Sequence, residues 1–158
     1  MRKKIVSAYI LATAMLMALS LMLVGCSADK ATLPPRPAVS GTPLLGTTWR
    51  IVEINGVKTG FLPGQKLDLS LVLSKGGQLR GSTGCNHLNG AYVRNADRLS
   101  FGSLFITRIA STPQLMERER VFLDALRKVN GYAIHGSRLK LFSSGGQKIM
   151  ELLALGKF

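Results

Sequence analysis

The chain has 158 residues, with 21 Lys and Arg against 8 Asp and Glu, two Cys, two His and an apolar fraction of 46%. That length suits a single domain, and the ordinary apolar content, without a fixed Gly or heptad period, excludes collagen-like, coiled-coil and fully disordered classes. Two His and eight acids leave a short inventory from which to build a protein-only catalytic centre.

The first 25 residues read as a targeting segment. Arg2, Lys3 and Lys4 precede an uncharged, mainly apolar run from Ile5 to Gly25, the pattern of a secretory signal. The run is also long enough for a membrane-spanning helix. Its end, Leu23-Val24-Gly25-Cys26, resembles the bacterial lipobox, in which a small residue precedes a Cys that is lipidated on sulfur and becomes the mature N-terminus. Lipidation at Cys26, an uncleaved anchor and ordinary secretion with an unmodified Cys26 are the three open fates, and the lipobox favours the first. Ser27, in place of the Asp that retains many such proteins at the inner membrane, directs the expectation to an outer-membrane lipoprotein whose domain faces the periplasm. With Cys26 acylated, Cys85 has no disulfide partner in an oxidising compartment. A lone Cys of this kind is expected to be a small buried hydrophobe.

Removing the first 25 residues takes away Arg2, Lys3 and Lys4 and no acid, so the formal charge falls from +13 to +10. The remaining charges are spread from Lys30 to Lys157 with no run of basic and aromatic residues. This argues against nucleic acid as a partner and leaves either weak attraction to an anionic envelope component or a solvated basic surface. From Cys26 to residue 43 the composition turns to Ala, Thr, Ser and Pro, with Pro34, Pro35, Pro37 and Pro43, which predicts a tether of roughly 3 Å per residue. Residues 44–155 then read as one domain.

The domain's periodicity is mostly that of strands. Trp49, Ile51, Val52 and Ile54 lead to Asn55-Gly56, a favoured hairpin pair. Leu67, Leu69, Leu71 and Leu73 alternate with Asp68, Ser70, Val72 and Ser74, placing four leucines on one face of a strand. Further strands are predicted at Gln78–Thr83, Ala91–Arg94, Leu99–Phe101, Leu104–Ile109, Tyr132–His135, Leu139–Phe142 and Ile149–Leu155. One segment changes period: Leu115, Phe122, Leu126 and Val129 share a helical face. Ser111 or Thr112 is its N-cap, Pro113 lies in its first turn and Asn130-Gly131 is its left-handed exit. The expected fold is mainly β, a small antiparallel barrel-like sheet with one packed amphipathic helix.

Between the third and fourth of these segments lies Gly81-Ser82-Thr83-Gly84-Cys85-Asn86-His87-Leu88-Asn89-Gly90-Ala91-Tyr92. Its glycines admit backbone angles or close approaches that side chains forbid, and Asn86 and Asn89 are suited to bonding their own loop. The loop either joins two strands and plugs the interior or forms a ligand site, and the first is favoured. Cys85 and His87 would share one face of an extended stretch, which makes at most a metal half-site. His135 beside Gly136 reads as a turn-side residue rather than a base.

The G-x-x-G-C-N-x-x-x-G-x-Y run of Gly81, Gly84, Cys85, Asn86, Gly90 and Tyr92, together with Leu45-Gly46-Thr47-Thr48-Trp49, Phe101-Gly102 and Ala110-Ser111-Thr112, resembles the META domain, the family of the HslJ-like lipoproteins. The resemblance implies a small β-rich domain on envelope or secreted proteins, linked in bacteria to envelope stress, with no established enzymatic activity. Many relatives carry T-x-M-x-C at the helix entrance, whereas here Thr112-Pro113-Gln114-Leu115-Met116 puts Met116 at the Cys position. A paired-thiol role for Cys85 is not expected. No G-x-S-x-G, H-E-x-x-H or P-loop occurs, Glu117 and Glu119 are read as surface partners of helix arginines, and no cofactor or metal is implied. The expected function is that of a non-catalytic envelope lipoprotein, a binding or stability factor held to the membrane by its lipid anchor at Cys26. The alternative is a pilot-type lipoprotein chaperoning an outer-membrane or secretion-system protein.

Overall fold

A computed structural model describes residues 41–155. The signal segment 1–25, Cys26 and the tether as far as residue 40 lie outside the described residues. Gly41 already pairs with Gly136, and the Thr42 N–H donates to the Gly136 carbonyl at 2.9 Å, so residues 41–43 join the folded unit.

The described residues form nine strands and one helix: β1 Thr48–Ile54, β2 Val57–Lys58, β3 Leu69–Ser74, β4 Gln78–Thr83, β5 His87–Asn95, β6 Arg98–Ile106, α1 Pro113–Arg127, β7 Val129–His135, β8 Arg138–Ser143 and β9 Lys148–Ala154. All strand pairs are antiparallel, and sequence neighbours pair from β3 through β9. β1 closes the sheet into a ring, because Trp49 lies opposite Leu71 of β3 on one side and Ala154 of β9 on the other. Closure pairs β1 on both sides, so the ring itself has no terminal strand. β2 extends from β1 as a two-residue hairpin whose turn residues Asn55 (φ 49°) and Gly56 (φ 82°) are both left-handed, the conformation that matches strand twist and that Asn-Gly adopts at low cost.

The weakest seam is β6–β7, held by a single paired position, Arg98 with Gly131. α1 lies between these strands in the chain and packs against β1, β4 and β6. Thr112 caps it by accepting from the Leu115 N–H, and Pro113 occupies the first turn. Its buried Phe122, Ala125 and Leu126 enter the ring, where they meet a core that includes Trp49, Leu71, Leu73, Leu79, Leu88, Leu99, Leu139, Leu141, Met150 and Leu152, and Leu115 is buried at the helix's first turns. The Trp49 indole N–H donates to the Leu44 carbonyl at 3.0 Å, so the largest core ring buries no unpaired donor. No helix among the described residues is long and apolar enough to cross a membrane.

Four sequence expectations are corrected. Leu67 precedes β3 and is 37% exposed, so the buried leucine face has three members, Leu69, Leu71 and Leu73. The segments predicted as Leu99–Phe101 and Leu104–Ile109 fall on one strand that ends at Ile106, because Gly102-Ser103 lie opposite Ala91 alone and form a bulge rather than a break. β5 starts at His87 rather than Ala91, which draws half of the glycine-rich motif into the sheet. Asn130-Gly131 does not end the helix: α1 stops at right-handed Lys128, and Asn130 is the extra residue of a second bulge, in β7.

Candidate functional site

The glycine-rich motif spans the end of β4, a tight turn and the start of β5. The turn closes on itself: the Thr83 N–H donates to the Asn86 carbonyl at 2.9 Å, the Asn86 N–H to Thr83 Oγ1 at 3.1 Å and the Gly84 N–H to Ser82 Oγ at 3.0 Å. Gly84 has φ +97°, and a Cβ there would lie 2.8 Å from the Arg118 guanidinium. Gly81 and Gly90 have ordinary backbone angles but face the neighbouring strands at Ser70 O and Ser103 O so closely that a Cβ would stand 2.2 and 2.8 Å away. Each motif glycine therefore answers a steric demand of the fold.

Asn86 ties the turn to two other segments. Its Oδ1 accepts from the Ile109 N–H at 2.8 Å and from Thr107 Oγ1 at 2.9 Å. A backbone N–H can only donate, which fixes the orientation of the amide. The opposite atom, Nδ2, donates to Glu119 Oε2 on α1 at 2.9 Å and to Cys85 Sγ at 3.5 Å. The buried Thr83 hydroxyl donates to the same carboxylate oxygen, and Cys85 Sγ lies 3.8 Å from it. Thr83, Cys85, Asn86 and Glu119 thus form one polar cluster under the helix, with Thr83 and Asn86 almost fully buried.

Glu119 corrects the expectation of a surface ion-pair partner. Leu115, Phe122 and Leu126 sit at helical positions i, i+7 and i+11, and Glu119 is the missing i+4 member of that inward stripe. The gap was visible in the sequence as a carboxylate at a core position, which requires a set of donors waiting inside. Glu117 behaves as expected: both its oxygens bond Arg120, at 2.6 and 2.9 Å, and this bond holds its carboxyl below the usual range.

Arg118 fastens the opposite side of the turn. Its guanidinium donates to the Gly60 carbonyl at 2.7 Å and to Gln65 Oε1 at 2.5 Å, while the Lys66 and Leu67 N–H groups donate to the Gly84 carbonyl. Tyr92 completes the motif by donating its hydroxyl to the Ser74 carbonyl at 2.7 Å, which pins the β3–β4 turn. Cys85 is buried and lies in the turn, whereas His87 is exposed at the start of β5, so the two do not share a face. Met116 is 56% exposed. His135 is exposed at the end of β7, opposite Arg138. The arrangement is chemically a clamp, in which the motif's polar groups hold α1, the 60–67 loop and the 107–109 segment to one turn.

The family model of the META domain matches residues 42–154. Among solved structures, the chain resembles a protein from Burkholderia xenovorans determined by NMR, at 23% identity over 79% of this chain and 98% of that one, with a TM-score of 0.56. It also resembles a DUF4847 family protein from Bacteroides vulgatus, at 14% identity over 73% and 96% of the two chains, with a TM-score of 0.50. These likenesses show the fold. No curated protein matches the chain.

Proposed function

The chain belongs to the META domain family, and from that premise we propose that it is a non-catalytic lipoprotein of the bacterial envelope, anchored through Cys26 at the periplasmic face of the outer membrane and acting as a binding or stability factor under envelope stress. META is not a known enzyme family. The observation that carries the reading is the use made of the motif: Thr83, Asn86 and Glu119 are bonded to one another and to the backbone, so the motif's polar groups serve to hold the helix on the sheet. Such a cluster specifies one packing of helix on sheet. The basic n-region and Leu23-Val24-Gly25-Cys26 support the address.

Mass spectrometry of the mature N-terminus and fractionation of the envelope test the anchor. The expected product starts at an acylated Cys26, and Cys26→Ser releases or mislocalises the domain; a chain beginning at Met1, or an unmodified Cys26, refutes it. Complementation of a deletion strain under envelope stress tests the non-catalytic role. Cys85→Ala is expected to complement, and complete loss of function at unchanged stability would instead assign chemistry to the thiol.

A further inference from the structure

On the flank of α1 that faces the β1–β2 hairpin, a groove of about 750 Å³ runs between the helix and the hairpin. Ile54, Val57, Leu62, Pro113 and Val121 give it an apolar lining, within the size range of sites for small apolar ligands. Its charged groups are Lys58, Glu117 and Arg118. Glu117 is occupied by Arg120, so the groove presents two cations to an occupant. Arg118 forms no ion pair among the described residues: its guanidinium donates only to the uncharged Gly60 carbonyl and Gln65 amide, and burial pushes it down from the ordinary arginine range. A half-buried cation without a counter-charge favours an anion beside it.

We propose that this groove takes one acyl chain of an anionic membrane phospholipid, with the phosphate headgroup against Lys58 and Arg118. The proposal deepens the envelope reading above and rests on it for the presence of lipid. Charge argues against the other candidates. A second copy brings the same excess of Lys and Arg, and the segment from Cys26 to residue 40 carries Lys30 and Arg36 against Asp29 alone.

A peptide strand is disfavoured by the hairpin's register. Ile54 closes the turn with Val57, Glu53 faces Lys58, and the Thr59 N–H donates to the Val52 carbonyl at 2.9 Å. The alternation of an antiparallel ladder then turns the backbone groups of Lys58 alone toward the free edge of β2. A peptide laid there would leave most of its N–H and C=O groups unpaired, whereas an acyl chain has none to satisfy.

The full chain, reconstituted in phosphatidylcholine nanodiscs doped with photoactivatable phosphatidylglycerol, tests the site by mass spectrometry of crosslinked peptides. Crosslinks are expected on residues 57–62 and 113–121. Lys58→Gln is expected to lower them about fivefold, the effect of one basic residue at an anionic surface, and Val57→Asp to lower them as well by placing charge on the lining. Val57 is 70% exposed and Lys58 is exposed, so neither change disturbs the core. Crosslinks elsewhere, equal labelling by photoactivatable phosphatidylcholine, or displacement of the lipid by an acidic amphipathic peptide would overturn the proposal. The N-terminal peptide in the same spectrum separates the two ideas. An acylated Cys26 with an unlabelled groove overturns the lipid site alone, and an unmodified Cys26 with a labelled groove overturns the anchor alone.

Discussion

Replacing Glu119 by Ala removes the acceptor shared by the Thr83 hydroxyl and the Asn86 amide, both buried. Hydrogen bonds to a charged group contribute about 1.5–3 kcal/mol each. Glu119 itself is half-buried, so water can reach the vacated position and the lower figure applies to each donor, giving a loss of about 3 kcal/mol. For a domain of this size that lowers Tm by about 10–15 °C. Glu119→Gln keeps an acceptor of the same shape without the charge and is expected to cost about 1 kcal/mol. Urea denaturation of the chain lacking residues 1–25, with Cys26→Ser, supplies the numbers. The decisive measurement is the double-mutant cycle of Glu119→Ala with Asn86→Ala, expected to give a coupling of about 1.5 kcal/mol. A cost below about 0.5 kcal/mol for Glu119→Ala, typical of an exposed side chain, together with no coupling, would refute the clamp.

Phe122 is fully buried, so Phe122→Ala is expected to cost about 3–5 kcal/mol in the same assay; a loss under about 1 kcal/mol would mean that α1 does not fill the ring. Gly84→Ala combines a left-handed backbone with a 2.8 Å encounter with Arg118, whereas Gly46→Ala, at φ +75° in open space, isolates the backbone cost of about 1 kcal/mol. Gly84→Ala is expected to exceed it clearly in urea midpoint. Lys148 at 3.1 Å and Arg138 at 2.5 Å hold the Glu151 carboxyl below its ordinary 4.5. Its stabilisation is complete above the unfolded value and is lost as pH falls through the folded one. Denaturation from about pH 6 to about pH 3 should therefore show a flatter acid limb for Glu151→Gln than for the parent.

The alternation of Leu69, Leu71 and Leu73 and the spacing of Leu115, Phe122 and Leu126 were enough to predict a β-rich domain with one inward-facing helix, because burial periodicity is a local property of strands and helices; Val129, read as the fourth member of that helical face, instead opens β7. The turn at Asn55-Gly56 and an N-cap at Ser111 or Thr112, of which the structure uses Thr112, were equally legible, since each depends on the backbone preferences of one or two residues. Bulges were not. Gly102-Ser103 and Asn130 look like breaks when read alone, and only the partner strand, one residue shorter at each point, makes them continuous with the sheet. The sequence also marked the motif without its purpose: Gly81 and Gly90 are glycines because Ser70 and Ser103, 11 and 13 positions away, bring their carbonyls against them. Glu119 was misread for the same reason, as the donors that make its inward position tolerable come from Thr83 and Asn86, 36 and 33 residues earlier. Local periodicity thus decided the elements and their inward faces, while ring closure, the clamp beneath α1 and the groove outside it depend on distances between residues far apart in the chain, which only packing brings together.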